Sequence, residues 1–161
     1  MKIICLTGIA GAGKSTARDT LAKLLPDCMV VGLDDIWVSS LFYFEKKFTK
    51  LFGVVVDKEK PRETWVNTMG TTGYDLFRKW VDIVTPFVVD NIKQIITTAK
   101  CKLKPPQFII FDFWQLPEMS IWHTSDYRIV IRADEEKRVA MRRERNIIRW
   151  RKSLDESIEA I

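Results

Sequence analysis

The sequence predicts an α/β fold, a short parallel sheet covered by helices. Three observations point there. Apolar runs of strand length alternate with amphipathic stretches of helix length. The runs Lys2–Thr7 and Phe108–Phe113 have continuous apolar centres, Ile3–Leu6 and Phe108–Phe111, as strands buried on both faces do. A glycine-rich segment, Gly8–Ser15, joins the first such run to the first helical stretch.

The elements follow in order. Lys2–Thr7 reads as a buried strand. Lys14–Leu25 reads as a helix with Ala17, Leu21, Leu24 and Leu25 on one face, and Pro26 stops it. Cys28–Leu33 is a second strand, ending at Asp34 and Asp35. A helix begins near Asp35, carries Phe42, Phe44 and Phe48, and ends at Gly53; Val54–Val56 is a short extended piece. Pro61 starts another helix running to about Met69, and Gly70–Gly73 punctuates. Tyr74–Lys100 has a long helical pattern in which Pro86 is expected to kink or split the helix. Pro105 and Pro106 break the chain before the strand Phe108–Phe113. Tyr127–Ile131 is a further strand, and Asp134–Arg149 a helix whose first residues, Asp134, Glu135 and Glu136, suit the dipole. The expected order is β-α-β-α-α-α-β-β-α.

Composition bounds the rest. The 161 residues suit one domain, 1–161. With 47% hydrophobic and 29% charged residues, the chain is neither collagenous, disordered throughout nor a disulfide scaffold. Its three cysteines are widely spaced and lack metal-ligand spacing, so reduced thiols are expected. One histidine excludes a His-rich metal site. No apolar run approaches the ~20 residues of a membrane span, and the N-terminus does not read as a signal peptide. The expectation is a cytoplasmic protein with no membrane partner. The net charge is +5, and Lys137–Lys152 holds eight basic residues against one acid, Glu144. Such a window suits phosphates of a nucleotide or nucleic acid, or is a solvated basic helix face.

The chemistry-bearing segment is Gly8-Ile9-Ala10-Gly11-Ala12-Gly13-Lys14-Ser15. It fits Gly-x-x-x-x-Gly-Lys-Ser/Thr, with a strand before it and a helix after it. Glycines let the backbone curl so that successive N–H groups point at a phosphate, and the helix start adds its positive end. The motif assigns Gly8, Ala10, Gly11, Ala12 and Gly13 to the cradle, Lys14 to the β- and γ-phosphates, Ser15 to Mg²⁺ and Thr16 to the α-phosphate. ATP and Mg²⁺ are the expected cofactors, and a three-layer P-loop NTPase fold the expected architecture. The size leaves no room for a motor, and no Asn-Lys-x-Asp is present; a small kinase remains.

Three further features extend the site. Asp34 and Asp35 follow the second strand, where the ligand crevice of an open parallel sheet lies. A carboxylate there can accept a proton from the acceptor or hold Mg²⁺ through water; either residue could instead cap the next helix. Asp112 ends Phe108-Ile109-Ile110-Phe111, the position of an acid that holds Mg²⁺ through water; the alternative is a turn residue. Arg138, Arg142, Arg145 and Arg149 are spaced to share one helix face.

The chain resembles P-loop kinases of the nucleoside-monophosphate kinase type, the phage deoxynucleoside monophosphate kinases and dephospho-CoA kinase above all. Pro61-Arg62 with Gly70-Thr71 is similar to the Pro-Arg…Leu-Gly-Thr segment of the phage enzymes, which implies that Arg62 holds the acceptor's phosphate. Asp112, Pro117 and Glu118 are near the phage pattern Asp-x-Arg-x-Pro-x-Glu, with Trp114 in place of the arginine; the stretch also resembles dephospho-CoA kinase's Asp-x-Pro-Leu-Leu-x-Glu. The Asp-x-Asp of dephospho-CoA kinase implies an acceptor-side role best matched by Asp35. Arg138 and Arg142 match the Arg-x-x-x-Arg of a lid helix, about 134–150, whose arginines close over ATP. The acceptor-binding segment is then about 35–100, and Trp37, Trp65, Trp80 and Trp114 fall in or near it, as an aromatic wall or as core. Both branches add a strand and a final helix after the lid, where Ser153–Ile161 offers a short helical piece.

The implied function is transfer of the γ-phosphoryl group of ATP to a small phosphate-bearing acceptor, a deoxynucleoside monophosphate first. Dephospho-CoA is the alternative acceptor. A nucleic-acid-directed kinase or ATP switch is a further alternative, admitted by Lys46, Lys47, Lys50, Lys58 and Lys60 among aromatics.

Overall fold

The computed structural model describes residues 1–140. In chain order the elements are β1 (Lys2–Thr7), α1 (Lys14–Leu24), β2 (Cys28–Gly32), α2 (Leu33–Tyr43), α3 (Glu45–Phe52), α4 (Pro61–Thr71), α5 (Tyr74–Lys100), β3 (Phe108–Asp112), a 3₁₀ turn (Leu116–Glu118), α6 (Ser120–Thr124) and β4 (Tyr127–Val130). Residues 135–140 are helical. The remainder of the expected helix Asp134–Arg149, with Arg142, Arg145 and Arg149, and the segment Ser153–Ile161 lie outside the described residues.

All strand pairs are parallel, in the order β2-β3-β1-β4. The two inner strands are the two most apolar runs, as burial on both faces requires. Successive side chains of β1 enter opposite layers. Ile4 and Leu6, with Ile110, pack against Ala17, Leu21 and Leu25 of the α1 segment. Cys5, Ile109 and Phe111 join the larger core on the other face, with Leu33, Trp37 and Leu41 of α2 and Trp80, Val81, Val84, Val88 and Ile92 of α5. Helices thus cover both faces of a four-stranded parallel sheet. Leu24, expected on the buried face of α1, is 73% exposed at the helix's last residue.

Five points of the expected order need correction. The helix expected from Asp35 to Gly53 is two helices, broken at Phe44, which has φ −113° and ψ 26°. The break lets Phe44 and Phe48 both meet Trp80 edge-on. Pro86 does not split α5, which runs as one element of 27 residues. The proline leaves the Asp82 carbonyl without its usual donor, and exposure to water on that face makes this tolerable. Val54–Val56 is no strand; Val56, 3% exposed, plugs the core instead. Gly70 lies inside α4 rather than after it, and the short helix α6 has no counterpart in the expected order.

The register aligns the strand ends that matter. Leu6 of β1 and Gly32 of β2 both pair with Asp112 of β3. Thr7, Gly32 and Asp112 therefore stand at one edge, from which the glycine-rich loop, α2 and the turn after β3 all depart.

Candidate functional site

The loop Gly8–Gly13 connects the central strand β1 to α1. Gly13 caps α1 at φ +88°, a left-handed conformation that favours glycine. Gly8 is required for a different reason: a Cβ there would run into the carbonyl oxygen of Ile131. The Ile131 N–H donates to Thr7 O at 2.8 Å, which ties that residue to the end of β1. The loop closes on itself through Ala12 N–H to Ile9 O at 3.1 Å, and Lys14 Nζ donates to the same carbonyl at 3.2 Å. The first turn of α1 carries no acid and no side-chain cap. Its leading N–H groups are left for an anion. Ser15 and Thr16 are exposed beside it.

Two carboxylates face Lys14 from the strand ends. Asp112 is 8% exposed. Burial pushes its carboxyl above the ordinary carboxylate range, Lys14 and Arg18 pull it back, and Asp34 and Asp19 push it further. Asp34 is displaced the same way, by desolvation first, with Lys14, Arg62 and Arg18 opposing and Asp35 reinforcing. Asp34 itself is exposed, whereas Asp112 is buried. Carboxylates held with raised pKa at a strand-end crevice are a mark of functional sites.

The two aspartates of the doublet differ in their surroundings. Both residues lie in the first turn of α2, whose cap is Gly32, with no side-chain cap bond; neither is the helix cap. Asp34 lies within electrostatic reach of Lys14, Arg62 and Arg18, and of Asp112. Asp35 points outward and meets Arg62 of α4, Nη2 to Oδ1 at 3.5 Å. Arg62 and Trp65 are one turn apart on α4, and Trp65 packs edge-on against Trp37 of α2, ring centres 5.7 Å apart.

Trp114 follows β3. Its carbonyl accepts the Thr7 hydroxyl at 3.0 Å, and its ring lies among Trp37, Phe77 and Phe113. Trp80 is fully buried and belongs to the core. Of Arg138 and Arg142, only Arg138 is among the described residues. Its side chain is 22% exposed, Nη2 is 3.5 Å from Glu135, and the buried Nε has no hydrogen-bond partner among the described residues. Arg142 lies outside them.

Two groups at or near this edge escaped the sequence reading. Arg18 bonds Asp112 at 3.3 Å; its spacing of four from Lys14 on one helix was the available signal. Arg78 of α5 forks onto Glu118, at 3.4 and 3.1 Å. Glu118 also accepts from Gln115 Nε2 at 3.3 Å. That network joins the start of α5 to the turn after β3 and had no local signal.

As to metal, no group of three or more His, Cys, Asp or Glu side chains among the described residues could hold an ion by itself; Ser15, Asp34 and Asp112 carry oxygen donors, the kind that Mg²⁺ takes. Mg²⁺ is commonly held by one or two carboxylates plus substrate phosphates. No helix among the described residues is long and apolar enough to cross a membrane.

No protein-family model and no curated protein matches the chain. Among solved structures, the crystal structure of TT1252 from Thermus thermophilus is similar, with a TM-score of 0.61 at 20% identity. The match covers 87% of this chain and 70% of that one. At that identity the likeness speaks to the fold: an α/β protein with a parallel sheet flanked by helices.

Proposed function

We propose that the chain is a P-loop phosphotransferase of the nucleoside-monophosphate kinase type, using Mg-ATP to phosphorylate a small phosphate-bearing acceptor, a deoxynucleoside monophosphate first. One observation carries the reading: the complete Gly8–Ser15 loop sits between the central parallel strand and α1, with Lys14 facing two strand-end carboxylates. The all-parallel four-stranded sheet with helices on both faces supports this reading.

Bound Mg-ATP supplies the phosphoryl group and a cation to offset its charge. The backbone N–H groups of Gly8, Ala10, Gly11, Ala12 and Gly13 would hold the phosphates, with Thr16 near the α-phosphate. Ser15, and Asp112 through water, would hold the metal. Lys14 would neutralise charge on the β- and γ-phosphates. Asp34, within electrostatic reach of Lys14, would orient the acceptor's attacking oxygen or help hold the metal. Asp35 and Arg62 form the acceptor rim, where Arg62 can take a phosphate in its fork. Trp114 and Trp65 offer aromatic faces along the same wall. Arg138, with Arg142, would close over the transferred group and offset its charge.

An acceptor screen tests this. Deoxynucleoside monophosphates, dephospho-CoA and single-stranded oligonucleotides are each offered with Mg-ATP, and ADP release is followed. Release with a deoxynucleoside monophosphate, abolished in a folded Lys14→Ala variant, is the expected result. Release with dephospho-CoA alone would reassign the acceptor, and none with any acceptor would remove the kinase reading.

A further inference from the structure

Arg18 lies one helical turn beyond Lys14, so both side chains leave α1 on the same face, toward the strand ends. Its guanidinium crosses the edge of the sheet. Nη1 bonds Asp112 Oδ2 at 3.3 Å, and Nε bonds Asp19 Oδ1 at 2.9 Å. A Cβ built on Gly32, the last residue of β2, would lie 3.9 Å from Nη1, an ordinary van der Waals distance, so the guanidinium lies over the end of β2. The arginine is 26% exposed and its Asp112 partner 9%. The pair is thus close to buried, where orientation is held more firmly than at a surface.

This arrangement constrains Asp112. It occupies one carboxylate oxygen, Oδ2, and so fixes the plane of the group. The bond to Arg18 does not involve the other oxygen, Oδ1. The charges nearby are Lys14 and Arg18 against Asp34, Asp112 and Asp19, and Asp19 is 57% exposed at the outer end of the arginine. Arg18 is therefore held at both ends, by an outer acid that is open to water and an inner acid that is not.

We propose that Arg18 is a positioning residue for the divalent metal of the nucleotide site, holding Asp112 so that its second oxygen meets a metal-bound water. The inference rests on the P-loop reading above. Mg²⁺ demands near-octahedral geometry, and the groups that orient a metal's ligands typically change affinity by about 10- to 100-fold when removed. An ordinary structural ion pair would instead affect stability with no preference for the metal-bound state.

The test is ADP binding, followed by tryptophan fluorescence, in EDTA and in saturating MgCl₂. In the unaltered protein Mg²⁺ should tighten ADP binding. Arg18→Met keeps the apolar stem and removes the fork. It should lose most of that metal-dependent gain, about 10-fold, with metal-free ADP affinity within about two-fold. Asp112→Asn should lose the same gain, and the double variant should lose no more than either single one. Arg18→Lys, which keeps the charge and is the milder change should Arg18→Met fail to fold, should retain an intermediate gain, since a point charge does not fix the carboxylate plane. Full retention of the Mg²⁺ gain in Arg18→Met, or in Arg18→Lys if only that variant folds, overturns the proposal and leaves the kinase reading intact. Absence of any ADP binding in the unaltered protein overturns both.

Discussion

Arg62 Nη2 stands 3.5 Å from Asp35 Oδ1, tying the first turn of α4 to the first turn of α2. Both side chains are well exposed, at 61% and 87%, and exposed pairs of this kind contribute only ~0–1 kcal/mol. Arg62 also sits near the positive end of its own helix, a poor place for a cation. A residue that does so little for the fold is free to serve a ligand. Arg62→Ala should therefore leave the thermal midpoint nearly unchanged, raise the acceptor's KM about 10-fold or more, and leave the KM for ATP within about two-fold. Arg62→Lys should recover part of the loss. An unchanged acceptor KM would remove Arg62 from the site.

The loop makes a paired prediction about glycines. At Gly8 an added Cβ meets the carbonyl of Ile131, a residue that the bond to Thr7 ties to the end of β1. Gly8→Ala should destabilise the protein by about 1–3 kcal/mol and abolish ADP binding, because relief requires moving the loop or the start of the following segment. Gly70 is the contrast. It lies within α4, with nothing within 4 Å of a built Cβ. Gly70→Ala should stabilise by about 0.4–1 kcal/mol through the unfolded chain's lost freedom. Urea melts of the two variants give opposite shifts if the local geometry is as described.

Much of this was legible because its cause is local. β1 and β3 were readable since strands buried on both faces have continuous apolar centres, and the loop because its residues are contiguous. Phe44 was not. Its neighbours suit a helix, and the break pays off only through Trp80, 36 positions on, which the chain order does not reveal. The helix-breaking tendency of Pro86 was real but outweighed by the core that α5 carries on either side of it, from Trp80 to Ala99. At the site, Asp34 and Asp112 were readable as strand-end acids. Their sorting was not: whether Asp34 or Asp35 comes within reach of Lys14 depends on how α2 is turned against the sheet, by Leu33 and Trp37 packing into the core. The Arg18–Asp112 bond joins residues 94 apart in sequence and exists only once three strands are in register.

Asp126 offers a pH test away from the site. Its Oδ1 accepts from Lys2 Nζ and its Oδ2 from the Ile3 N–H, each at 2.8 Å, so one carboxylate anchors the start of β1 beside β4. The Lys2 bond first, then the Ile3 bond, lowers the Asp126 pKa, and the same contact raises that of Lys2. For a carboxylate lowered on folding, the stabilisation is fully present above the unfolded pKa, about 3.9, and is lost as pH falls through the folded value. For the lysine the stabilisation is present below about 10.4 and is lost as pH rises through its higher folded value. The difference in unfolding free energy between the unaltered protein and Asp126→Asn should thus be a plateau from about pH 4 to pH 10, shrinking at both ends. Salt should reduce the Lys2 share, which is exposed and screened, and leave the Ile3 share. Urea titrations across pH, at low and high salt, would show the plateau. A difference that does not shrink in acid would mean that Asp126 acts through packing rather than charge.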